Sequence, residues 1–65
     1  MTYLLNDADK TMIRFSAGDM PTAAVQALET AVAARLNDML TRGEISSVTV
    51  PNVKTAISQE MLKGK

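Results

Sequence analysis

The side chains best suited to chemistry lie near the carboxyl end of the chain, after Pro51. They are amides, hydroxyls and one amine, namely Asn52, Lys54, Thr55, Ser58 and Gln59. A helix that presents such groups on one face can hydrogen-bond base edges and read DNA. Any amphipathic surface helix displays a similar polar face, however. A small helix-turn-helix regulator is therefore the second of two functional predictions.

A second DNA-binding arrangement starts from residues 11–17, where apolar and polar residues alternate as in a β-strand. In a ribbon-helix-helix dimer this strand places Met12, Arg14 and Ser16 in the major groove. That fold needs two medium-length helices directly after the strand, whereas one long helix is predicted here. Seven basic residues balance seven acidic ones, so the chain lacks the basic surface that supplies most nonspecific affinity. Nucleic acid is thus an unfavoured partner.

Catalytic and metal-binding patterns are weak in this sequence. The chain has no Cys and no His. This excludes disulfides, zinc sites with Cys or His ligands, and catalytic pairs in which His activates a Ser or Cys nucleophile. Asn6, Asp7 and Asp9 could begin a calcium loop, but the later ligands and the glycine of that loop do not follow. A capped helix start explains them better. We predict no enzymatic activity, cofactor, metal or small-molecule substrate.

The elements that must position these groups are mainly helical. The longest predicted helix runs over residues 21–42, because Pro21 suits a first turn, alanines fill the interior and Gly43 suits a left-handed stop. Asp38 and Arg42 form a favourable pair four residues apart on its surface.

Two shorter helices flank the long one. Residues 45–50 are β-branched and predict a short strand or extended connector, and Pro51 then begins a helix that extends to about Leu62 and stops at Gly64. The segment 6–17 is ambiguous, and a cap at Asn6 or Asp7 favours a helix narrowly over a strand. In that helix one face is apolar: Leu5, Ala8, Met12 and Phe15.

The long helix carries an apolar stripe, here called the α2 stripe. It consists of Val25, Leu28, Val32, Leu36 and Met39. A helix of this length is about 33 Å long, and two helices of about a dozen residues each cover roughly two thirds of it. Part of the stripe is therefore expected to stay open, and exposed apolar surface of that size marks a partner.

These features predict a single mainly α domain over residues 1–65, with a βαβα arrangement as the alternative fold. They predict a non-enzymatic interaction or assembly module that binds itself or a larger protein through the α2 stripe. Chain size suggests an accessory protein of a phage or mobile element, either a virion component or an inhibitor of a host protein. A cytoplasmic or virion-associated location is expected, because no apolar run approaches the length of a membrane span.

Overall fold

The computed structural model describes residues 3–63, which form three helices. They are α1 (Asp7–Ala17), α2 (Thr22–Arg42) and α3 (Val50–Lys63). The mainly α prediction is confirmed, and the βαβα alternative is not supported. Residues 11–17 lie within α1, and the connector between α2 and α3 forms turns without strand pairing. The predicted stop at Gly64 lies outside the described residues.

Helix α1 begins with a reciprocal capping box. The side chain of Asn6 accepts a hydrogen bond from Asp9 N–H at 2.8 Å, and the Asp9 carboxylate accepts one from Asn6 N–H at 3.2 Å. Two of the orphan donors at the helix start are thereby satisfied. The helix ends at Gly18, whose φ of 62° favours glycine. Local sequence thus accounts for both ends of α1.

Helix α2 ends at Arg42 as predicted and begins one residue later than predicted, with Pro21 as its N-cap. At its other end, Gly43 is left-handed with φ 76°. The N–H of Glu44 then donates to Met39 O at 2.9 Å, which closes the last turn. Arg42 bonds Asp38 at 2.9 Å across one turn, as predicted for this exposed pair.

Helix α3 begins one residue before the predicted Pro51, and the connector that leads into it is folded onto the core. The first helical hydrogen bond runs from Val53 N–H to Thr49 O at 3.0 Å. The Asn52 side chain donates to Ser47 O at 2.9 Å and fixes the path of the connector. None of the helices in residues 3–63 has the length and hydropathy of a bilayer-spanning helix.

One apolar core lies where the three helices meet. The four largest completely enclosed side chains come from all three helices: Ile13, Val32, Leu36 and Val53. Partly buried residues outside the helices close the core at its edges: Tyr3, Leu5, Ile45 and Val48. The domain measures 33 × 25 × 18 Å, so α2 spans its whole length and the other segments wrap around it.

Candidate functional site

The α2 stripe lies in the chain's own core. Leu28, Val32, Leu36 and Met39 are buried, and Val25 is half-buried against the same core. Only Val25 of this stripe stays partly open, which is less than the sequence predicts, because the connector and the N-terminal segment add to the cover that α1 and α3 provide. A partner contact through the stripe stays a prediction, and it requires α1 or α3 to move.

The largest exposed apolar side chain is instead on α1. Phe15 is 89% exposed, although Ile13, two residues before it, is fully buried. Phe15 shares its side of the helix with Ala8 and Thr11, which are also exposed. We call these three residues the outer face of α1. An exposed phenyl ring leaves a large apolar surface in contact with water, which is unfavourable. This face is therefore the candidate interaction surface.

A shallow depression adjoins Phe15 between α1 and α3. Its volume is about 240 Å³, and it is lined by Thr11, Met12, Phe15, Ser16 and Lys54. The lining is mostly apolar, and Lys54 contributes the part that comes from α3. A depression of this size and lining has room for one apolar side chain.

The opposite flank of Phe15, toward α2, carries Arg14. Its Nε lies 3.8 Å from Glu29 Oε2, an ion pair too long to be a hydrogen bond. Glu29 Oε2 is buried and receives no hydrogen bond from the described residues. The Arg14 side chain remains 66% exposed. The outer face is thus flanked by Lys54 on the α3 side and by Arg14, with its partner Glu29, on the α2 side.

The predicted DNA-contacting residues follow the exposed side of α3, but several already have intramolecular partners. Asn52 donates to Ser47 O, Thr55 donates to Pro51 O at 3.0 Å, and Gln59 accepts from Arg35 at 2.8 Å. Lys54 and Ser58 are exposed and form no side-chain hydrogen bond within residues 3–63. DNA binding stays a prediction, and two of its five groups are accessible without breaking a bond.

Tyr3 fastens the N-terminal segment to α1 and α2. Its phenol donates a hydrogen bond to Asp9 Oδ2, while its backbone N–H and C=O pair with the Asn37 side-chain amide at 2.6 and 3.0 Å. The bond to Asp9, burial and the charge of that carboxylate raise the pKa of Tyr3 to about 12. This network joins three chain segments and has a structural role.

A second polar cluster joins α2 to α3. Arg35 donates to Glu60 through Nε and to Gln59 Oε1 through Nη1, and Lys63 lies 3.9 Å from Glu60. A depression of about 370 Å³ beside them is lined partly by these residues. Because Arg35 and Glu60 satisfy each other, this cluster orients α3 on α2.

The side of α1 that faces the core differs from the apolar face that the sequence indicates. The sequence groups Ala8 and Phe15 with Leu5 and Met12 as one apolar face, whereas the buried side consists of Asp9, Ile13 and Ala17. Leu5 and Met12 lie at the edges of the core. A signal for the true face was the capping box, because it directs Asp9 inward and Ile13 follows one turn later.

Comparison with known protein families, curated proteins and solved structures finds no match to this chain.

Proposed function

We propose that this chain is a non-enzymatic protein–protein interaction module that binds through the outer face of α1 and the depression beside it. The observation that carries the proposal is the 89% exposure of Phe15. Leaving that ring in water forfeits roughly 2–3 kcal/mol of hydrophobic stabilisation, in a domain whose own core supplies few large side chains. A partner surface recovers that energy.

The surroundings of Phe15 support the same proposal. The ring lines a mostly apolar depression together with Lys54 and Ser16, and aromatic side chains with a polar rim are typical of binding centres. Elsewhere, the conspicuous polar clusters hold the helices together: Tyr3 with Asp9, and Arg35 with Glu60. Phe15, by contrast, is not part of the core cluster. The phage or mobile-element setting remains a prediction from chain size alone.

Site-specific photo-crosslinking tests the proposal. A benzoylphenylalanine placed at residue 15 is irradiated in a lysate of the source organism, and the same probe at residue 62 serves as the control. Leu62 is also apolar and 68% exposed, but it lies at the far end of α3. We expect a discrete crosslinked product from position 15 and none of the same mass from position 62. Equal products from both positions, or none from position 15, would contradict the proposal.

A competition experiment adds a quantitative measure. Unlabelled wild-type chain should suppress the crosslink from position 15, whereas Phe15→Ser should suppress it at least about tenfold less well, since a buried phenyl ring contributes more than about 1.4 kcal/mol. Leu62→Ser should compete as well as the wild type.

A further inference from the structure

The outer face of α1 is complementary to itself. Ala8, Thr11 and Phe15 follow one another at spacings of three and four residues, so they form one stripe on an exposed face. Asp7 and Arg14 lie together on the flank of this face that is nearer α2, two turns or about 10.5 Å apart along the helix. An antiparallel second copy of α1 therefore brings each Asp7 opposite the other copy's Arg14.

We infer that two copies of this chain form an isologous dimer in which the α1 helices pack antiparallel about a two-fold axis near Thr11. The Phe15 ring of each copy covers Ala8 of the other, and two Asp7–Arg14 ion pairs form by symmetry. This inference rests on the proposed function and names its partner as a second copy of the chain.

The Thr11 hydroxyl at the centre of this interface already has a hydrogen-bond partner within its own chain. The Thr11 hydroxyl already donates to Asp7 O at 2.9 Å, so covering Thr11 leaves no donor unpaired. Thr11 and Ala8 are also small enough for two helix backbones to approach closely. These two properties make the middle of α1 a suitable crossing point.

Charge favours a second copy as the occupant. The guanidinium of Arg14 forms no hydrogen bond within residues 3–63, and its side chain is 66% exposed, so its donors can reach an incoming Asp7. Asp7 is itself exposed in the first turn of α1. The chain has a formal net charge of zero, hence two copies meet without net repulsion. Antiparallel packing also aligns the helix dipoles favourably.

The size of this surface determines the affinity that we expect for the dimer. Each Phe15 contributes roughly 150–200 Å² of buried area, and helix α1 has only 11 residues. The interface is therefore smaller than the roughly 800 Å² per partner of a standard complex. We expect a weak, reversible dimer with a dissociation constant on the order of 100 µM.

Sedimentation velocity from about 10 µM to about 1 mM tests the dimer. The wild-type sedimentation coefficient should rise with concentration, Phe15→Ser should remain monomeric throughout, and Leu62→Ser should match the wild type. A wild type that stays monomeric at 1 mM overturns the dimer. If the position-15 probe still captures another protein, the proposed function survives that result. Equal self-association by wild type and Phe15→Ser also overturns the dimer.

A charge-swap series tests the antiparallel register. Asp7→Arg and Arg14→Asp should each weaken dimerisation about fivefold or more, because each places like charges opposite one another twice. The double variant should return to within about twofold of the wild type. Both positions are on the surface, and far-UV circular dichroism checks that each variant keeps its helices. If the double variant instead loses as much affinity as the two single variants together, this register is ruled out.

Discussion

Helices α1 and α2 each carry apolar residues at helical spacing, but the structure uses them in opposite ways. Leu28, Val32 and Leu36 on α2 are buried beneath the rest of the chain. On α1, Phe15 points away from the core while the neighbouring Ile13 is enclosed. Spacing alone therefore identifies an apolar face without saying what covers it.

The difference follows from how each helix is surrounded. Helix α2 is central, and it is covered by α1, α3, the connector with Ile45 and Val48, and the N-terminal segment with Leu5. Helix α1 is peripheral and has one protected side, which Asp9, Ile13 and Ala17 occupy. A peripheral helix with apolar residues on more than one side must leave some of them in water or offer them to a partner.

The largest expected effect comes from a charge in the α2 stripe. Val32→Asp places a carboxylate in a completely enclosed site without a partner, which costs more than about 4 kcal/mol. A 65-residue domain has little more stability than that to lose, so the variant should be unfolded by circular dichroism. Phe15→Asp, on the exposed face, should keep the wild-type spectrum. A folded Val32→Asp would show that the stripe is not the core of the isolated chain.

Within α1, the comparison reduces to two residues. Ile13→Ala should lower the free energy of unfolding by about 2–4 kcal/mol, because it opens a cavity in the core. Phe15→Ala should change it by less than about 0.5 kcal/mol. Urea unfolding at low micromolar concentration measures both values on the monomer. A large loss for Phe15→Ala would mean that its ring packs within its own chain.

The N-terminal segment gives a smaller, pH-dependent effect. Tyr3→Phe removes the bond to Asp9 and should cost about 1 kcal/mol below pH 10. The folded pKa of Tyr3, about 12, lies above its ordinary value of 10.0. The contribution of Tyr3 is therefore complete below pH 10 and is lost as pH rises from 10 to 12.

Urea titrations of wild type and Tyr3→Phe at pH 9, 10, 11 and 12 measure this contribution. Lysines titrate in the same range but are common to both proteins, so their effect cancels in the difference. A difference that stays constant across this range would contradict the bond between the Tyr3 phenol and Asp9.

The smallest expected effects come from two ion pairs, one partly buried and one exposed. Glu60→Gln weakens the Arg35 contact between α2 and α3, where both side chains are mostly covered, and should cost about 0.5–1 kcal/mol. Asp38→Asn breaks the exposed pair with Arg42 and should cost at most about 0.3 kcal/mol. Chemical denaturation at low and high salt distinguishes them, since only the exposed pair is strongly screened. Equal losses would place both pairs in similar surroundings.

Much of the fold could be predicted because helix ends depend on local backbone chemistry. Pro21, Gly43 and Pro51 predicted the bounds of α2 and the start of α3 to within one residue. Helix α3 packs into the core through Val53 and Ile57, which stand four residues apart on one face, as helical periodicity requires. The candidate site was harder to predict, since it depends on which residues remain uncovered.

What the sequence by itself determined is the set of helices, through caps, left-handed glycines and proline positions that act over a few residues. What only the tertiary structure decided is the side of α1 that faces inward and the burial of four of the five residues of the α2 stripe. Burial depends on the shape of every neighbouring segment at once, including connectors such as Ile45 and Val48 that have no periodicity of their own. The exposure of Phe15 is therefore a property of the packed chain, because its apolar character and helical spacing alone do not distinguish it from a core residue.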